Sequence, residues 1–123
     1  MTREERVAEF RIAGDLETNS VDPAGMILVW NCLTEEMIEL SDAGKAYHEK
    51  PSEETRAAFI KEWADVQYVL SQLAVFYEFD GQRAFDIVAD NNMTKVIDGK
   101  VIRREDGKIL KPEGYQYPDL RGL

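Results

Sequence analysis

The sequence predicts an all-α fold: an antiparallel helical bundle of about four helices, completed by oligomerisation, with a short irregular or hairpin C-terminal tail. Three observations predict it. Two long stretches, Pro23 to about Lys50 and Ser52 to about Phe79, carry apolar residues at helical spacing. Pro51 alone separates them, so the two helices must fold back on one another as an antiparallel hairpin. Beyond Ile97 the periodicity gives way to Asp98-Gly99, Asp106-Gly107 and Glu113-Gly114, which punctuate short segments. With 123 residues and 44% hydrophobic content, the chain suits one compact domain and is too short for two of ordinary size.

Each element has its own local signal. Residues 3 to 14 set Val7, Phe10 and Ile12 among charges, which predicts a short amphipathic helix ending near Gly14 and packing as an outer arm. Residues 16 to 22 are polar and aperiodic, and Asp22-Pro23 reads as an N-cap followed by proline at the first helical position. After Pro51, Ser52-Glu53-Glu54-Thr55 supplies a cap and an acidic first turn for the third helix, with Asp80-Gly81 as its terminator. A fourth helix from about Gln82 to Ile97 follows from Phe85, Val88, Asn92 and Val96 on one face. In the tail, VIRR and KIL are short enough to pair as a small hairpin. No internal repeat or low-complexity stretch is visible.

Charge and cysteine usage narrow the function classes. The formal net charge is -9, with acids spread along the chain, so nucleic acid and anionic membranes are poor partners. Cys32 is the lone cysteine and has no disulfide or zinc partner set, which suits a reducing, cytoplasmic setting. The charged N-terminus is followed by no apolar stretch of signal length, and nothing approaches the ~20 apolar residues of a membrane span. A soluble, unexported protein is expected.

The chemistry lies in acids placed where apolar residues belong. In the second helix Met26, Trp30, Leu33, Met37, Leu40 and Tyr47 form an expected core stripe. At about 100° per residue, a neighbouring row holds Leu28, Cys32, Glu36, Glu39, Ala43 and Ala46, with Glu35 at its margin. The third helix repeats the arrangement: a core stripe of Phe59, Trp63, Val66, Leu70, Leu73 and Tyr77 lies beside Ala58, Glu62, Asp65, Val69 and Phe76. Antiparallel packing lets Glu36, Glu39, Glu62 and Asp65 converge. Ionised carboxylates in such a place repel one another and lose hydration, and a divalent cation is the natural compensation. An all-oxygen set selects a hard ion such as Mg²⁺, which keeps open positions for phosphate oxygens.

Glu35-Glu36-Met37-Ile38-Glu39 followed by Glu62-Trp63-Ala64-Asp65 resembles the EExxE and ExxD pair of the MazG-like, all-alpha nucleotide pyrophosphatases. The 22 residues between Glu39 and Glu62 fit that family's range, and Asn91 to Lys95 with the DGKVIRREDGKILKPEGYQYPDL tail resembles its phosphoribosyl-ATP pyrophosphohydrolase-like members. The resemblance implies Mg²⁺, or Mn²⁺ in its place, held by Glu36, Glu39, Glu62 and Asp65. It implies that Glu35 positions or deprotonates the attacking water, and that Asn92 and Lys95 approach a nucleoside triphosphate substrate. It also implies a homodimer or homotetramer, which agrees with the two long helices exposing more apolar rows than one hairpin covers. Asp90 and Asn91 are neighbouring candidates. Residues 95 to 111 carry six basic and three acidic side chains, a net +3 that leaves -12 on the rest of a chain of charge -9. Such a local excess attracts polyphosphate.

Other readings fare worse on the residues. A carboxylate-bridged di-iron protein needs two Glu-x-x-His pairs, and His48, the one histidine, has Lys45 three positions before it. No calcium loop with a terminal glutamate is present. His48 reads as a helix C-terminal residue, Cys32 as a small core residue, and Trp30 fits the core stripe better than a base-binding role beside Asn31. The serious alternative is a non-catalytic nucleotide- or metal-binding helical module.

Overall fold

The structure is a computed structural model that describes residues 1–16 and 23–123; the expected Asp22 cap lies outside the described residues. It is all-helical, with four helices and no strand among the described residues: α1 (Arg3–Ala13), α2 (Pro23–Glu49), α3 (Glu53–Phe76) and α4 (Gly81–Met93). The chain forms two compact units, Met1–Phe79 and Asp80–Leu123. No helix among the described residues is long and apolar enough to cross a membrane.

In the first unit α1 opens on a capping box: the Thr2 hydroxyl accepts from Glu5 N, and the Glu5 carboxylate accepts from Thr2 N. Ser52 and Thr55 exchange the same pair of bonds at the start of α3, with Glu53 and Glu54 in its first turn. Lys50, Pro51 and Ser52 are all that separates α2 from α3. The helices run antiparallel, with the Tyr47 and Phe59 rings 6.0 Å apart near the turn and Trp30 donating to the Tyr77 hydroxyl at 2.8 Å near the open end.

The hairpin closes along a seam with alternating steps of four and three residues. Val29, Leu33, Glu36, Leu40, Ala43 and Tyr47 on α2, and Thr55, Phe59, Glu62, Val66, Val69, Leu73 and Phe76 on α3, are all buried or half-buried. This is the spacing of antiparallel coiled-coil packing. The seam is rotated from the expected core stripes towards the acid-bearing rows. Leu33 is buried, but Trp30 is 49% exposed, Met37 55% and Trp63 53%, and Met26 and Leu70 are also exposed. Both helices carry apolar surface too wide for one partner to cover, and small residues are among those lining the strip that closes. Gly44 is one of these: a Cβ there would lie 3.8 Å from the Phe59 ring.

α1 packs on α3 through Val7, which is 1% exposed, and through Arg11, which is 2% exposed. The Arg11 guanidinium donates to Gln72 Oε1 at 2.7 Å and lies over the Phe76 ring. Phe10 and Ile12, expected on the packed face, are exposed instead, although the Phe10 ring meets the edge of Tyr68. Arg11 takes the inner position because its stem is apolar and its charged end finds both an amide oxygen and a ring face.

In the second unit Asp80 caps α4 by accepting from Arg83 N at 2.9 Å, so Asp80-Gly81 begins a helix rather than ending α3. The end of α4 falls short of the expected Ile97. Thr94 turns its hydroxyl onto Asn91 O, and Lys95 N and Val96 N bond back three residues, which tightens and stops the helix. Asp98 at φ 52° and Gly99 at φ 73° then form a two-residue turn closed by Ile97 and Lys100. Segments 101–104 and 108–110 meet through Arg104 N to Lys108 O and Leu110 N to Ile102 O, as isolated bridges.

α3 ends before the expected Phe79, in a Schellman motif: Phe79 N bonds to Ala74 O and Glu78 N to Val75 O. Glu78 occupies the left-handed position at φ 56°, where glycine is unstrained. Glu78→Gly is expected to raise the unfolding free energy by ~0.5–1 kcal/mol, the left-handed cost less the chain entropy of glycine. Urea unfolding with an unchanged m value checks this, and a loss of stability would contradict the strain argument.

Candidate metal centre

Three of the acids identified in the sequence meet in the hairpin. Glu36, Glu62 and Asp65 each offer a carboxylate oxygen, and these oxygens lie within 4.8 Å of one another. Their helices bring them there for a simple reason: Glu36 and Glu62 occupy seam positions, and Asp65 lies one turn from Glu62 on the same face. All three residues are half-buried.

Two oxygens of the cluster, Glu36 Oε2 and Glu62 Oε2, are buried with no hydrogen-bond partner among the described residues. A buried acceptor left unpaired is costly, and a buried carboxylate oxygen more so. The Glu36 carboxyl is pushed above its ordinary range, first by burial and then by the charges of Glu39 and Asp65. Glu39 is exposed, but its side chain reaches the Glu36 carboxyl, so it stands at the solvent edge of the group. Glu35 is exposed on α2 beside it.

One cation already answers part of this charge. Lys61, one turn before Asp65, places its ammonium 2.6 Å from Asp65 Oδ2 and 3.5 Å from Glu62 Oε1. The sequence reading did not single it out; the Lys-Glu-x-x-Asp spacing on one helix was the available signal. Lys61 is well exposed and satisfies neither of the two buried oxygens.

The cluster therefore fits a divalent cation. Oxygens at this separation can close on a hard ion that takes ligands at ~2.0–2.6 Å after modest side-chain rotation. The set is purely anionic oxygen, with no sulfur or imidazole, which favours Mg²⁺ or Mn²⁺ over zinc or copper. Glu39, expected as a fourth ligand, is exposed and does not join the three-acid group.

The other two expected substrate residues lie in the second unit. Asn92 is near the end of α4, and Lys95 lies in the turn beyond it rather than on the helix. The two are joined by a hydrogen bond from Lys95 Nζ to Asn92 Oδ1 at 3.0 Å. Asn91 is committed to the tail, accepting from the Tyr115 hydroxyl and donating to Gln116 O at 2.8 Å.

No family model and no curated protein matches the chain.

If burial and mutual repulsion are what strain the cluster, Glu36→Gln in chelator should raise the urea midpoint above that of the unaltered protein. Mg²⁺ should reverse the order, because the unaltered protein gains ~2.7 kcal/mol at a hundredfold excess over its Kd and the variant, lacking a ligand, gains less. Equal midpoints under both conditions would show that the acids neither repel one another appreciably nor bind the ion.

Proposed function

We propose that the protein is a Mg²⁺-dependent nucleoside triphosphate pyrophosphohydrolase, cleaving an NTP or dNTP to the monophosphate and pyrophosphate. The observation that carries this reading is the convergence of Glu36, Glu62 and Asp65 with two buried, unpartnered carboxylate oxygens. The likeness of the Glu35–Glu39 and Glu62–Asp65 segments to the paired motifs of MazG-like enzymes supplies the reaction class.

Glu36, Glu39, Glu62 and Asp65 are the metal-holding residues in this reading, and Mn²⁺ is an equivalent occupant. When bound, the ion neutralises charge on the phosphates and polarises their oxygens. Glu35, exposed beside Glu36, is the carboxylate free to orient a water and accept its proton. Asn92 and Lys95 serve the substrate, with the ammonium directed to phosphate and the amide to sugar or phosphate. A cytoplasmic setting, where nucleotides and Mg²⁺ are both supplied, suits this activity.

The reading includes a homodimer or homotetramer. Its support is the apolar surface of the first unit: Met26, Ile27, Trp30, Met37 and Ile38 on α2 and Ile60, Trp63 and Leu70 on α3 are all exposed large hydrophobic residues. A stripe of this extent on a hairpin is what a second copy buries. Met37→Lys should shift the mass measured by light scattering down to that of the single chain. A single-chain mass for the unaltered protein removes the oligomer from the proposal.

The activity test is release of pyrophosphate and monophosphate from a panel of nucleoside triphosphates, with and without Mg²⁺. Glu39→Gln and Asp65→Asn should each lower turnover by about a hundredfold or more, since even groups that only support metal ligands are worth ~10–100-fold. Binding of Mg²⁺ and nucleotide without turnover would replace the enzyme with a non-catalytic nucleotide-binding module.

A further inference from the structure

The tail of the second unit gathers two lysines around two tyrosines. Lys95 and Lys111 place their ammonium groups 5.6 and 5.9 Å from the centre of the Tyr115 ring. Lys111 also lies 4.7 Å over the Tyr117 ring and donates to the Tyr117 hydroxyl at 3.1 Å. The two rings meet edge to face at 5.4 Å. Tyr115 is a fixed platform: its hydroxyl is held by Asn91 Oδ1, its backbone N bonds to Pro112 O, and the Asn91 amide clamps the next residue through Gln116 O.

Among the described residues neither Lys95 nor Lys111 has a carboxylate at salt-bridge distance. In a chain of net charge -9, these two ammonium groups are held by ring faces and neutral oxygens instead. Each has three donors and spends one on a protein oxygen, Lys95 on Asn92 and Lys111 on Tyr117. The ring contacts orient the cations without neutralising them. Two like charges oriented on one ring, with donors to spare and no carboxylate paired to either, are suited to an anion whose charge is spread over more than one phosphate group.

The geometry points to Lys111, acting with Lys95 on the Tyr115 platform, as an anion subsite for the polyphosphate chain of a nucleotide. Lys111 is the new element, since it lies well outside the acidic motifs and beyond α4, and only the fold of the tail brings it and Lys95 to the same ring. The subsite rests on the pyrophosphohydrolase reading for the identity of its anion and on nothing in the acid cluster for its binding. An exposed cation–π pair also adds to tail stability on its own, so affinity and stability must be read separately.

The test is titration of the full chain with inorganic tripolyphosphate in chelator at low ionic strength, followed by calorimetry and by the amide resonances of residues 91–117. Saturable binding is expected, weakened about tenfold by Lys111→Gln and by Lys95→Met, largely restored in Lys111→Arg, and not weakened by Asp65→Asn. ATP under the same conditions should compete, whereas tripolyphosphate binding that ATP does not displace would overturn a nucleotide subsite. Absence of saturable binding, or Lys111→Gln binding within twofold of the unaltered protein while its urea midpoint falls, would reduce the lysine to a structural role. Because no metal is present, loss of Mg²⁺-dependent turnover leaves this result unaffected, and failure of the two proposals can be told apart.

Discussion

Carboxylates at the seam of a two-helix hairpin are the constraint on which the first unit depends. Glu36 and Glu62 occupy positions whose neighbours along the seam are Leu33, Leu40, Phe59 and Val66. An apolar residue at either position would pack the seam more simply, since a buried charge lacking a full set of partners costs several kcal/mol even after relaxation. The remaining seam must offset that cost. It does so at both ends of the hairpin, where the tilted rings of Tyr47 and Phe59 meet and where Val29, Val69 and Phe76 are buried. The strain is thus confined to the middle of a structure fixed on either side, which is how a polar cluster can be held open without unfolding the helices around it.

The same helices explain why the first unit leaves so much apolar surface uncovered. A strip that is continuous around more than half of a helix cannot be buried by one neighbour. α1 covers part of α3, and it does so with Arg11 as much as with Val7, the guanidinium lying over Phe76 and bonded to Gln72. Among the described residues Trp30, Met37 and Ile38 remain exposed.

Much of this was legible in the sequence, and the failures have specific causes. The two long helices and the cap at Ser52 follow from periodicity and local hydrogen bonding, which depend only on neighbouring residues. The meeting of Glu36, Glu62 and Asp65 follows from periodicity plus one short connection. The rotation of the seam was not legible: adjacent apolar rows are equivalent in pattern, and the choice between them is a fit between helices. Arg11 was invisible because its partners, Gln72 and Phe76, are on another helix. The ends of α3 and α4 were misplaced because Asp80 can close one helix or cap the next, and because Glu78 in a left-handed conformation carries none of the usual glycine signal. The lysine–tyrosine platform needed the tail folded before Lys95 and Lys111 could be seen as neighbours.

Lys61 answers part of the charge of the acid cluster without satisfying it. Its ammonium sits close to Asp65 and within reach of Glu62, so it lowers the repulsion that Asp65 and Glu62 exert on Glu36. The pair is an exposed i,i+4 contact, and such contacts contribute little. A divalent cation brings twice the charge and can approach the two buried oxygens that Lys61 does not reach. The lysine is therefore a weak occupant of the outer edge of the cluster, strong enough to steady Asp65 and too weak to compete for Glu36 Oε2 and Glu62 Oε2. A stronger internal counter-charge, such as an arginine bonded to both carboxylates, would satisfy the cluster outright and leave no reason for an ion to enter.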